Sequence, residues 1–212
     1  MINIQSFTFN PFQENTYLLF DESNECVIID PGCSDTNERN TLKNFIERNS
    51  LTPVKLLNTH CHIDHILGNK FIADTYKLGL EANEKDLKTL AAGRVSADIF
   101  GIDYEESPQP NHFLEEGDKV IFGKSELEIV FTPGHSTGSI CFYNRVDKFI
   151  IGGDVLFFQS IGRTDLPGGN HQQLLESIRT KLFTMPDDFT VYPGHGPSTT
   201  IGFEKANNPF LS

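Results

Sequence analysis

A layered α/β fold built on mixed sheets is predicted for this chain of 212 residues by three observations. Nine short apolar runs of strand length recur between residues 2 and 193. Amphipathic helical patterns interrupt them. Hairpin-like neighbours also alternate with helical crossovers, a mixture that a purely parallel sheet would not show. With 38% hydrophobic residues and no Pro/Gly/Ser-rich linker, residues 1–212 are expected to bury one sizeable core as a single domain.

Taken in order, "INIQSFTF" (2–9), "NTYLLF" (15–20) and "ECVIID" (25–30) read as strands rich in β-branched and aromatic residues. The stretch 36–48 places Leu42, Phe45 and Ile46 at helical spacing, and "VKLLN" (54–58) follows as a buried strand behind Pro53. Stretches 66–76 and 83–91 read as helices. Residues 92–111 combine Gly93, Gly101, Pro108 and Pro110 with acidic side chains, so they are expected to form a surface excursion near a site mouth. Strands resume at "KVIF" (119–122), "LEIVFT" (127–132), "SICFYN" (139–144) and "KFIIGG" (148–153). A helix with Leu174, Leu175, Ile178 and Leu182 on one face spans 171–183, and "FTVYP" (189–193) is the last strand.

Composition excludes several functions. A formal net charge of −12 opposes a polyphosphate backbone, so nucleic acid is not expected as a partner. No run approaches the length of a membrane span, and no short repeat or low-complexity tract is present. The four cysteines, Cys26, Cys33, Cys61 and Cys141, form no C-x-x-C pair, and "MINIQSFTFN" lacks a basic segment and an apolar signal core. A reduced, cytoplasmic protein is expected. The oligomeric state is left open by the sequence.

The chemistry concentrates in "NTHCHIDHILGN" (58–69), where three of the seven histidines and an aspartate fall between His60 and His65. In extended backbone, side chains at i and i+2 share a face, so His60 and His62 can converge on one ion while Cys61 points away. Asp64 and His65 are adjacent and serve better, after a turn, at a second ion. Three further segments repeat one design of apolar strand, glycine-containing turn and potential ligand: "IVFTPGHS" to His135, "FIIGGD" to Asp154 and "TVYPGHG" to His195. His112 and His171 fall outside that design and are assigned surface or capping roles. Cys61 is read as a packed thiol.

In combination, His60-x-His62-x-Asp64-His65 followed by His135, Asp154 and His195 is similar to the ligand set of the metallo-β-lactamase superfamily. The similarity runs from "IIDPG" (28–32) to "YPGHGPSTT" (192–200). Within the superfamily, "SIGRTDLPGGN" (160–170) and "GPSTTIGFEKANNPFL" (196–211) resemble the short, single-domain glyoxalase II-like hydrolases, of the hydroxyacylglutathione hydrolase type. That resemblance implies a four-layer αβ/βα sandwich of two mixed β-sheets flanked by helices, with the site at one edge of both sheets. It places His60, His62 and His135 on a first metal and Asp64, His65 and His195 on a second, with Asp154 bridging them. The implied cofactor is two divalent metal ions, zinc first, with iron or manganese as alternatives for nitrogen and oxygen ligands. Asp64 and Asp154 become the catalytic carboxylates, supporting a bridging hydroxide that attacks a carbonyl. Asp30 is implied to be a structural partner outside the ligand set.

The expected substrate is a small-molecule thioester of the S-2-hydroxyacylglutathione type. Two-domain glyoxalase II enzymes add a C-terminal helical domain that supplies much of the glutathione contact, whereas only residues 196–212 follow His195 here. Arg163, in "GRTD", either pairs with Asp165 to fix its loop or engages a substrate carboxylate. Two other functions fit parts of the pattern. A related persulfide dioxygenase branch uses one iron, here on His62, His135 and Asp154. A non-catalytic metal-binding interaction module would be expected to have lost ligands, and none is missing.

Overall fold

In the computed structural model, which describes residues 1–211, two six-stranded sheets face each other. The first sheet runs in chain order through β1 (Asn3–Phe9), β2 (Glu14–Phe20), β3 (Glu25–Ile29), β4 (Thr52–Leu57), β5 (Leu80–Ala82) and β6 (Pro110–Phe113). Its first three strands are antiparallel and its last four pair in parallel, so the sheet is mixed. The second sheet contains β7 (Lys119–Phe122), β8 (Ser125–Phe131), β9 (Ile140–Asn144) and β10 (Phe149–Gly153) as an antiparallel meander. A two-stranded ribbon, β11 (Leu156–Phe157) and β12 (Ser160–Ile161), lies outside both large sheets. Then β13 (Thr190–Pro193) adds parallel to β10, and β14 (Thr199–Thr200) closes the second sheet antiparallel to β13.

Among the described residues seven α-helices flank the sheets: α1 (Thr36–Arg48), α2 (Ile63–Ile66), α3 (Asn69–Tyr76), α4 (Leu87–Ala91), α5 (Gly93–Phe100), α6 (His171–Thr180) and α7 (Ile201–Asn207). Strand alternation explains the layers. On β3, Cys26 and Ile28 pack towards the helices around Leu42, Ile46 and Ile72, while Val27 and Ile29 face the second sheet. On β9, Phe142 meets that inter-sheet core, while Cys141 and Tyr143 face Leu174 and Ile178 of α6. Three apolar layers thus separate helix, sheet, sheet and helix, the arrangement the family resemblance implies. Among the described residues no helix is long and apolar enough to cross a membrane.

All nine expected strands form. The segments the sequence left unassigned, β5, β6 and the two-residue strands β11, β12 and β14, are too short to show a period. The expected helix at 83–91 begins as a 3₁₀ turn, Glu84–Asp86, where the Asn83 side chain accepts from the Lys85 N–H. Residues 92–111 are not simply a loop, because α5 occupies Gly93–Phe100 before the chain enters β6. Asn170, rather than His171, caps α6 by accepting from the Gln173 N–H, which satisfies one of the free donors at the helix start. His112 lies exposed on β6.

Candidate metal centre

The four predicted strand ends meet at one edge of both sheets. The chain leaving β4 supplies His60 and His62 and turns into α2, which presents Asp64 and His65. His135 follows β8, Asp154 follows β10 and His195 follows β13. Backbone bonds tie the sheets together here: the Ile140 N–H donates to the Thr59 carbonyl at 2.9 Å, and the Asn15 N–H donates to that of Gly194 at 2.7 Å. Glycine is required at two of these turns. Gly153 has φ +49° and its missing Cβ would strike Thr59, while a Cβ on Gly194 would overlap Asp154 Oδ1 and lie 2.7 Å from His65 Cε1.

All seven predicted residues are gathered. The potential ligand atoms of His60, His62 and His135 lie within 4.8 Å of one another, and so do those of Asp64, His65 and His195. Asp154 sits between the two triads. Its Oδ1 is 3.4 Å from His65 Nε2, and its Oδ2 is 3.5 Å from the Nε2 atoms of both His135 and His195. Asp64 Oδ2 reaches His195 Nε2 at 3.1 Å.

The outer partners fix which nitrogen faces inward. His135 Nδ1 donates to the Arg163 carbonyl at 2.7 Å, His195 Nδ1 to the Phe12 carbonyl at 3.1 Å, and His65 Nδ1 to Asp30 Oδ2 at 3.1 Å. The Thr59 hydroxyl donates to Asp30 Oδ2 at 2.5 Å, so it accepts from His60 Nδ1 at 3.1 Å. Four imidazoles are therefore Nδ1–H tautomers with Nε2 lone pairs turned to the centre. His62 differs by presenting Nδ1, 2.8 Å from His135 Nε2. The Nε2 atoms of His60 and His135 approach to 3.2 Å, lone pair against lone pair, an arrangement that a shared cation relieves. His65 Nε2 and Asp154 Oδ1 are buried without a hydrogen-bond partner. The residues fit a pair of cations.

Electrostatics separate the two triads. Burial, reinforced by the neighbouring His65 and His135, holds His60 well below the usual imidazole range, and burial beside His135 pushes His62 down to about 4. These rings stay neutral, as ligation requires. In the second triad, burial works against protonation of His65, but Asp64 and Asp154 outweigh it and hold its pKa well above the ordinary value. Burial likewise opposes ionisation of Asp154, and the facing His65 reverses that. Positive charge is favoured where the carboxylates converge.

Asp30 belongs to the supporting shell. It accepts from the Thr59 N–H at 2.7 Å, the Thr59 hydroxyl, Asn58 Nδ2 at 3.2 Å and His65 Nδ1, so its lone pairs are engaged. Cys61 is buried with its thiol pKa raised well above the ordinary value, mainly by burial. The Arg163 guanidinium makes two 2.7 Å bonds to Asp165, the loop-fixing one of its two expected roles, and the residue lines the cleft. Its carbonyl contact to His135 was not legible in the sequence, because backbone acceptors leave no residue-type signal. Glu14, fully buried 3.9 Å from His65, was also missed. Desolvation raises its pKa far above the carboxylate range, and its place inside the strand run "ENTYLLF" gave no hint of that.

A cleft of about 600 Å³ opens over the centre. His62, Asp64, His135, Asp154 and His195 form its floor, and Phe12, Ala92, Phe100, Phe157, Leu166 and Pro167 supply apolar walls. The excursion at 92–111 therefore does border the site mouth, through α5.

Comparison with known proteins agrees with this geometry. Residues 9–195 match the family model described as Metallo-beta-lactamase superfamily. The chain is 37% identical over 215 residues to the hydroxyacylglutathione hydrolase GloC of Haemophilus influenzae, covering 100% of this chain and 99% of the other. Among solved structures, the BLEG-1 B3 metallo-beta-lactamase superposes with a TM-score of 0.91 at 36% identity, covering 99% of this chain and 100% of that one. TTHA1623 in a di-iron-bound form gives a TM-score of 0.88 at 34% identity, with 98% and 100% covered.

Proposed function

The chain belongs to the metallo-beta-lactamase superfamily, and from that premise we propose that it is a glyoxalase II-type thioesterase acting on S-2-hydroxyacylglutathione or a similar small thioester. The observation that supports the thioester reading is the end-to-end similarity to a hydroxyacylglutathione hydrolase. The convergent histidines and carboxylates support the hydrolytic chemistry.

In this reading His60, His62 and His135 would hold one divalent cation and Asp64, His65 and His195 the other, with Asp154 placed between the two triads. Bound there, two divalent cations supply a water with its pKa lowered to about 7 and positive charge for an oxyanion. The chain does the rest. Asp30, Thr59 and the carbonyls of Arg163 and Phe12 keep the imidazoles from rotating, so the ligand atoms are already in place before substrate arrives. Phe12, Phe100 and Phe157 wall the cleft with apolar surface and limit competing water. No protein nucleophile is needed, and the buried, neutral Cys61 thiol is not one. The thiolate leaves without a strong general acid, because thiols have pKa values near about 8.5.

A second reading is β-lactam hydrolysis, which the similarity to BLEG-1 favours. Initial rates on S-lactoylglutathione, a β-lactam and a simple amide at equal concentration separate the two. The thioesterase reading expects the thioester to be cleaved fastest by a wide margin. Preferential β-lactam cleavage by fully metallated protein overturns it.

A further inference from the structure

One fully buried carboxylate stands outside the machinery described so far and touches two of its loops. Asp86 ends the 3₁₀ turn before α4. Its Oδ2 accepts from the Cys61 N–H at 2.6 Å, and its Oδ1 accepts from the Gly138 N–H at 2.9 Å, from the Ser136 hydroxyl and from the Thr89 hydroxyl at 3.3 Å. Cys61 is the residue between His60 and His62. Ser136 is the residue after His135. Among the described residues Asp86 makes no ion pair, and these four donors satisfy its buried oxygens. The fit is close, since a Cβ on Gly138 would lie 2.7 Å from that of Asp86.

We infer that Asp86 is a positioning residue that sets the spacing of the His60, His62 and His135 ligand atoms by clamping their two loops to one carboxylate, and thereby governs retention of the first cation. The inference rests on those three histidines sharing one cation. It does not depend on the substrate. A carboxylate is the group suited to this place, because each of its oxygens must accept. An asparagine turns one oxygen into an N–H donor, which faces either the Cys61 N–H or the Gly138 N–H and releases one loop.

The test follows release of zinc from protein reconstituted with two equivalents, using rapid mixing with a chromogenic chelator. His62→Ala identifies which release phase belongs to the first site. Asp86→Asn is expected to accelerate that phase about 10- to 100-fold and leave the other within about threefold, the range seen when partners of metal ligands are lost. Ser136→Ala, which removes one donor and leaves the carboxylate, should move the same phase by a smaller factor and decides the matter if Asp86→Asn does not fold. Asp21→Asn is the control. Asp21 is another buried carboxylate with four such bonds, from the Ser23 N–H and hydroxyl, the Lys124 N–H and the Ser125 hydroxyl, remote from the centre. That variant should melt earlier with both phases unchanged. Equal acceleration of both phases, or release like wild type from a folded Asp86→Asn or Ser136→Ala protein, would assign Asp86 to general stability alone and overturn the inference. Wild-type protein that takes up a single zinc would remove the two-cation reading, and would overturn this inference only if His62→Ala leaves that uptake unchanged.

Discussion

Replacing Asp154 with alanine removes the carboxylate whose oxygens approach histidines of both triads. Its oxygens lie 3.4–3.5 Å from His65, His135 and His195, and a water entering from the cleft would bring neither the negative charge nor the fixed position of that carboxylate. Loss of a partner one bond further out typically costs 10- to 100-fold in metal affinity or activity. A group facing both cations should cost more, at least about 10³-fold in kcat/KM, or roughly 4 kcal/mol at 1.36 kcal/mol per factor of ten. The fold should survive. The turn is held by backbone bonds that the substitution leaves alone, from the Gly194 N–H to the Gly153 carbonyl at 2.8 Å and from the Gly162 N–H to the Val155 carbonyl at 3.2 Å. Kinetics on a thioester, metal content after dialysis and circular dichroism together make the assay. A folded variant that keeps both metals with activity within tenfold of wild type would refute the bridging geometry.

Three further outcomes are expected. Gly194→Ala should lower activity and metal retention about 10- to 100-fold without changing secondary structure, because the added methyl overlaps Asp154 Oδ1; elemental analysis and kinetics check this. Asp21 has its carboxyl held below the usual range: burial alone would raise it, but the Ser23 hydroxyl and N–H, with Ser125 and Lys124, reverse that. Its stabilisation is thus present above the unfolded pKa of about 3.9 and lost as pH falls through the lower folded value, so melting curves of wild type and Asp21→Asn should lie furthest apart near neutral pH and converge in acid. A gap that widens on acidification contradicts that sign. Arg163→Ala should reduce the preference for anionic over neutral acyl thioesters if the guanidinium leaves Asp165 for substrate; an unchanged ratio of kcat/KM values restricts Arg163 to its carbonyl contact with His135.

The strands and the clustered histidines and aspartates were legible because both obey short-range rules. Period-two alternation in "ECVIID" maps directly onto Cys26 and Ile28 on one face and Val27 and Ile29 on the other. Histidines and aspartates placed just after apolar strands were readable as one site because those strands end at a common edge. The supporting shell was not readable. Asp86 reaches Ser136 across 50 positions and Phe12 reaches His195 across 183, distances at which sequence carries no local signature. Helix α5 escaped notice because its Gly93 start and Gly101 end resemble turn punctuation, although Ala97 packs into the core beneath it.

The central claim is a thioesterase whose activity requires two divalent cations in one site. Its most direct test is a titration of metal-free protein with zinc, reading S-lactoylglutathione hydrolysis against metal bound per chain. Hydrolysis should rise to a plateau at two equivalents and vanish on chelation. Absence of thioester cleavage in protein holding two metals, or full function with a single iron that consumes oxygen on glutathione persulfide, would contradict the account.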